Sequence, residues 1–294
     1  MKAKDLTNEF FDSGHGCCPG CAMPIILRHT FQVLGENTIV VITAGCLGTI
    51  SGVFPSSPFK LPAYNTPFAS AGAAASGVRA ALEMKGDPTT SVLAVAGDGG
   101  TFDIGIQALS GAAERNDDFI YLCYDNEAYM NTGIQRSSAT PWGAWTTTTP
   151  STSLKSQPKK DIVQIMVAHH VPYVATVSIA YPEDFRRKIE KAKETRGFKF
   201  IYAFSPCPVG WRFNSEMTIR LARLAVQTKI FPLYEVENGQ RYILNEEPEV
   251  IAVNEYLKLQ GRFQFLREGD MERIQENIDQ SWKRLMNRIG HEGA

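Results

Sequence analysis

The chain has no uninterrupted apolar run of the roughly 20 residues that a membrane-spanning helix needs, so no membrane partner is expected. Met1 to Phe10 also lack the apolar segment of a secretory signal, and a cytoplasmic location is expected. Neither sign of charge dominates: 30 Lys and Arg stand against 31 Asp and Glu, which argues against nucleic acid as a partner. The five histidines (His15, His29, His169, His170 and His291) show neither metal-ligand nor triad spacing. Two phosphate-binding signatures are also missing: there is no GxxxxGKS/T, and no GxGxxG at the first strand-to-helix turn. No internal repeat is found. A chain of 294 residues can bury a full core, as one large α/β domain or two small ones. In a reducing compartment its six cysteines are better suited to ligand or core roles than to disulfides.

Apolar, β-prone runs recur at 38–42, 91–96, 119–124, 173–177 and 198–204, as strands covered on both faces require. Helical patterns lie at 24–34, 70–84, 103–115, 161–169, 183–193 and 216–228. The alternation predicts an α/β fold with a doubly wound, mainly parallel sheet and helices on both faces. Residues 131–160, rich in Thr, Ser, Pro, Gly and Trp, break the rhythm; a loop this long is either functional or a flexible surface loop. The pattern changes after 228, which divides the chain into an α/β domain over 1–228 and a C-terminal extension over 229–294 with a charged helix near 270–289.

Gly97-Asp98-Gly99-Gly100 follows one predicted strand and Asp125-Asn126 follows the next. In an open parallel sheet both loops leave the same rim and can aim at one point. Magnesium takes about six oxygens and keeps some from phosphate and water. Asp98 would bring charge, Asn126 an amide oxygen and Ala128 a backbone carbonyl, while Gly97, Gly99 and Gly100 let the backbone approach a diphosphate. A lone GDG could also be only a turn; its spacing from Asn126, one helix and one strand, favours the diphosphate reading.

Cys18-Pro19-Gly20-Cys21 puts two thiols on one tight turn, and Cys46 sits just past the first predicted strand. Cys207, after the predicted strand 198–204, is the best fourth ligand, and Cys123, in mid-strand, belongs to the core. Cys17 neighbours Cys18 and is either a decoy or a substitute, since adjacent side chains point apart. Spacing alone leaves a four-cysteine zinc site and a [4Fe–4S] cluster both open.

His15-Gly16-Cys17-Cys18-Pro19-Gly20-Cys21, Gly45-Cys46, Gly97-Asp98-Gly99-Gly100-Thr101-Phe102-Asp103-Ile104-Gly105, Pro206-Cys207-Pro208 and above all Tyr124-Asp125-Asn126-Glu127-Ala128-Tyr129-Met130-Asn131-Thr132-Gly133-Ile134-Gln135-Arg136-Ser137 closely resemble the β subunit of 2-oxoacid:ferredoxin oxidoreductases, nearest to the pyruvate enzyme. The resemblance runs from about residue 12 to about 240. It implies a thiamine-diphosphate-binding fold, Mg2+ and a [4Fe–4S] cluster. It also implies oxidative decarboxylation of pyruvate to acetyl-CoA and CO2, with electrons leaving to ferredoxin. Cys18, Cys21, Cys46 and Cys207 match the cluster ligands. Asp98 and Asn126 match the Mg2+ side chains, Ala128 the backbone ligand, and Asn131 a residue near the reactive carbon of the cofactor. The resemblance further implies an α subunit that supplies the other half of the cofactor site, including its missing carboxylate. Further clusters would lie on γ and δ subunits or on ferredoxin, because no CxxCxxC run occurs here. Oxalate, 2-oxoglutarate or a branched-chain 2-oxoacid could replace pyruvate. A non-oxidative decarboxylase or synthase is disfavoured, since it has no use for four cysteine ligands; a zinc-stabilised structural subunit is the remaining alternative.

Overall fold

The computed structural model describes residues 9–53, 55–249 and 251–290; His291 and residues 1–8 lie outside them. The apolar runs become the parallel strands of an eight-stranded sheet. In chain order the eight strands are β1 (Thr38–Thr43), β2 (Ala63–Thr66), β3 (Ser91–Gly97), β4 (Ile120–Asp125), β5 (Tyr173–Ser178), β6 (Lys199–Phe204), β7 (Tyr234–Glu237) and β8 (Arg241–Leu244), of which β1, β3, β4, β5 and β6 are the apolar runs. Across the sheet the order is β2-β1-β3-β4-β6-β5-β7-β8. Every pairing from β2 to β5 is parallel, whereas β7 runs antiparallel to β5 and β8 to β7. β4, β5 and β6 are buried at every position, as strands covered on both faces must be. β2 escaped the sequence reading because Ala63, Tyr64 and Asn65 are exposed on an edge strand and carry no apolar run.

The helices are α1 (Met23–Leu34), α2 (Cys46–Ile50), α3 (Ala71–Met84), α4 (Ile106–Glu114), α5 (Ile162–Ala168), α6 (Pro182–Glu194), α7 (Pro208–Trp211), α8 (Thr218–Gln227), α9 (Asn254–Leu257) and α10 (Asp270–Gly290). On one sheet face α1 and α6 pack against Val40, Ile42, Leu93, Val95, Leu122 and Ile201. On the other, α3, α4, α5 and α8 cover Val41, Ala94, Ala96, Cys123, Val174 and Phe200. α1 shows why each helix takes its face. Met23, Ile26, Leu27, Phe31 and Leu34 recur at helical spacing, Pro24 occupies the first turn and Gly35, at φ 81°, ends it. Truncating the fully buried Phe31 to Ala costs about 3–5 kcal/mol. In α6, Pro182 starts the helix; Glu183 and Asp184 then lie in its first turn and Lys191 and Lys193 in its last, complementing the helix dipole.

The residues beyond 228 continue the sheet. β7 and β8 add its antiparallel edge, and α10 rests on the second core through Ile274, Ile278, Trp282 and the buried Leu285. The 131–160 segment has no helix or strand, yet Ser137, Thr140 and Lys155 within it are buried.

Candidate active site

β1, β3, β4 and β6 lie side by side and parallel, so the loops at their carboxyl ends share one rim. Those loops carry Cys46, Asp98, Asn126 and Cys207 in that order. The chain leaves β1 toward β2 on one side and returns to β3 on the other, so the rim contains a topological switch point, where open α/β sheets bind ligands. A cleft of ≈ 30 Å³ opens there, room for a water or two, lined in part by Cys46, Asp98, Asn126, Ala128 and Asn131. The five-residue π-turn Gly99–Asp103 follows Asp98. A Cβ on Gly99 would stand 2.3 Å from the Tyr129 ring, so only glycine lets this backbone approach the loop of β4.

The cation reading rests on oxygen geometry. The Asn126 side-chain amide lies 2.9 Å from Asp98 Oδ1 and 2.9 Å from the Ala128 carbonyl, and its nitrogen donates to both. Turned over, the same amide would bring its oxygen beside these two, a set of three oxygens suited to a cation. Neighbouring ligands of an octahedral magnesium at 2.0–2.1 Å are separated by about 2.9 Å. One side chain therefore suits both states: its nitrogen bonds the two oxygens in the metal-free pocket, and its oxygen would join them around a cation.

Asp98 is 1% exposed, and the Ser137 hydroxyl donates to its Oδ2 at 2.5 Å. Burial, and next the neighbouring Asp125 charge, push its carboxyl well above the ordinary range. Asp98, Asp125 and Glu127 are three buried acids, and the basic side chains paired with them are Lys159 and Arg262. A cation beside Asp98 improves that balance. Thr43 Oγ1 is buried without a hydrogen-bond partner, at the end of β1 and near Gly100. Asn131 is exposed, and its Oδ1 accepts from the Thr49 hydroxyl at 3.1 Å, which leaves its amide NH2 to the cleft.

The cysteines form a looser group. Cys21 N donates to the Cys18 carbonyl at 3.0 Å and closes the predicted turn. Gly20, at φ 72°, completes it, and a Cβ there would strike Ser215 at 2.4 Å. Cys207 precedes α7 and its Sγ accepts from Gly210 N at 3.4 Å. Burial, and next Cys207, push the Cys46 thiol up to about 12; Cys21 and Cys18 add to this. Burial likewise pushes the Cys207 thiol up to about 11, with Cys21 and Cys18 contributing against the Gly210 bond. The four predicted ligands therefore lie within electrostatic reach of one another. Among the described residues, however, no three His, Cys, Asp or Glu side chains are grouped tightly enough to hold one metal ion. Cys17 is hydrogen-bonded to Cys21, which raises the Cys17 pKa and lowers that of Cys21. Cys123 is fully buried in the core. The Thr146 to Thr149 run bonds to itself, with the two end hydroxyls 2.7 Å apart. His169 ends α5 and meets the Ser110 hydroxyl at 3.1 Å.

The sequence reading missed the residues behind the pocket: Ser137, Lys159 and Arg262. The last two are distant in sequence from the turn they hold, and of the three only Ser137 fell within the quoted motifs.

The C-terminal TPP-binding domain of thiamine pyrophosphate enzymes matches residues 43–203. Ketoisovalerate oxidoreductase subunit VorB of Pyrococcus furiosus is 48% identical, over 94% of this chain and 92% of its own. Pyruvate synthase subunit PorB of Methanocaldococcus jannaschii is also 48% identical, over 94% and 96%. This chain is a β subunit of the 2-oxoacid:ferredoxin oxidoreductase family. It is thus one subunit of a heteromeric oxidoreductase and carries a thiamine pyrophosphate-binding domain. A solved 2-oxoglutarate:ferredoxin oxidoreductase from Magnetococcus marinus shares the fold at a TM-score of 0.61 and 22% identity, over 76% of this chain and 81% of that one. No helix among the described residues is long and apolar enough to cross a membrane.

Proposed function

We propose that this β subunit serves the reversible oxidative decarboxylation of pyruvate to acetyl-CoA and CO2 in the cytoplasm, with electrons passing through a [4Fe–4S] cluster to ferredoxin. The single observation that supports the reading is the shared rim of β1, β3, β4 and β6, whose loops carry Asp98 and Asn126 between Cys46 and Cys207. In this reading thiamine diphosphate supplies the electron sink for decarboxylation and the cluster a one-electron exit. Asp98, Asn126 and the Ala128 carbonyl hold Mg2+. Gly97, Gly99 and Gly100 admit the diphosphate, and Asn131 directs its NH2 toward the substrate. Cys18, Cys21, Cys46 and Cys207 hold the cluster.

Among the described residues lining the cleft, Asp98 is the one carboxylate. The carboxylate that activates the cofactor is therefore assigned to the α subunit, and further clusters to γ and δ subunits or ferredoxin. Anaerobic purification of the complex tests the assignment. About four irons per β chain, bound thiamine diphosphate and CoA-dependent pyruvate oxidation are expected; stoichiometric zinc without the cofactor would overturn it. The isolated chain is expected to be inactive. Because VorB and PorB relatives match at the same 48% identity, 2-oxoisovalerate is the second reading, and steady-state rates on both acids decide between them.

A further inference from the structure

Asn126 and Ala128 can aim at one point only if the residue between them turns the chain sharply. Glu127 does so at φ 66°, a left-handed conformation that costs a residue with a Cβ free energy. Its side chain turns away from the cleft and is 3% exposed. Lys159 Nζ lies 2.6 Å from Glu127 Oε1 and 2.5 Å from Asp125 Oδ2, bridging the acids on either side of Asn126. Arg262 Nη2 lies 2.6 Å from Glu127 Oε2, an ion pair rather than a straight hydrogen bond. Arg262 is itself held: its Nε donates to Gln260 Oε1 at 2.9 Å and its guanidinium stacks 3.9 Å from the Trp211 ring centre. The same Trp211 donates from Nε1 to the Asn126 carbonyl at 2.8 Å, and the Thr140 hydroxyl donates to the Glu127 carbonyl at 2.7 Å.

We infer that Lys159 and Arg262 are positioning residues. Through Glu127 they clamp the 125–128 turn from behind, so that the Asn126 and Ala128 oxygens stay converged on the cation. Arg262 lies in the C-terminal extension and Lys159 at the end of the long loop, so both segments help set cation affinity without reaching the cleft. The clamp does not act by supplying charge to the cofactor, since both cations are engaged with acids that point away from it. It rests on the reading of Asp98, Asn126 and Ala128 as cation ligands.

The test uses the assembled complex and Mn2+ as the probe, titrated by electron paramagnetic resonance in the presence of thiamine diphosphate. Arg262→Met and Lys159→Met are each expected to weaken Mn2+ binding about tenfold or more, in the range that residues supporting metal ligands control. Arg262→Lys is expected to recover part of the loss, and iron content should stay at the wild-type level. If either Met variant prevents assembly, Thr140→Val removes the bond to the Glu127 carbonyl, together with the one that Thr140 Oγ1 accepts from Ser137 N at 3.0 Å, and is expected to weaken Mn2+ binding a fewfold. Wild-type Mn2+ affinity in the assembled variants overturns the clamp. Failure of the wild-type complex to bind Mn2+ with the cofactor overturns instead the cation-site reading on which it rests.

Discussion

At one rim of the sheet, Asp98 and Asn126 are 1% and 8% exposed, whereas Cys18 is exposed and Cys21, Cys46 and Cys207 are only half-buried. Asp98 and Asn126 sit at the ends of two central strands; Ser137 and Trp211 brace them directly, and Thr140 and Lys159 brace Glu127 and Asp125 on either side of Asn126. The thiols sit on turns and short helices with few bonds between them. The Asp98–Asn126 pocket already has its shape from the surrounding protein. In the proposed reading the cysteine arc, by contrast, would acquire much of its final geometry from what it binds, as metal sites coupled to local folding do.

The most disruptive way to test that contrast is to remove one thiol. Cys46→Ser in the complex is expected to abolish ferredoxin reduction and drop iron well below about four per chain, with Mn2+ affinity held within about twofold if the pocket is independently braced. Iron assay and spin-resonance titration on the same sample check both halves. Asp98→Ala is the reciprocal experiment: cation binding should weaken by at least about 100-fold while iron content is unchanged. Loss of iron in Asp98→Ala would show that the two sites are built together, against the contrast drawn here.

A milder perturbation is Tyr202→Phe, which removes the hydroxyl that donates to Asp125. It should cost about 1–3 kcal/mol of stability in urea unfolding without changing iron content. The smallest effect concerns His29, far from the rim on α1. Burial, assisted by Arg186, lowers its pKa from 6.5 to about 4. The unfolded chain therefore binds the proton first as pH falls. The contribution of His29 to stability is complete above about pH 6.5 and lost progressively toward pH 4. Urea midpoints measured from pH 7 to pH 4 should fall less in His29→Gln than in the wild type.

The five central strands and the main helices were legible because each is a continuous run with one periodicity. The proximity of Asp98 and Asn126 was legible because they lie one helix and one strand apart, a separation that the parallel topology closes up. The bracing was not. Nothing local to Arg262 marks it as the partner of Glu127, and Lys159 lies in a stretch with no periodicity at all. Their roles arise from contacts across the chain, and the left-handed Glu127 that they secure carries a residue with no special liking for that conformation. β2 was hidden for the opposite reason: it is paired at an edge and largely exposed, so it has no apolar signature.

The order β1-β3-β4-β6 makes the sheet a ruler. Adjacent strands are spaced by about 4.8 Å, and the two that end in cysteine loops flank the two that end in the cation loops. In the proposed reading, the separation between the cofactor and the cluster would be set in good part by hydrogen-bonded backbone rather than by side-chain packing. Electron exchange weakens steeply with distance, so substitutions in the core would loosen the protein a good deal before they changed how fast the two proposed sites exchange an electron.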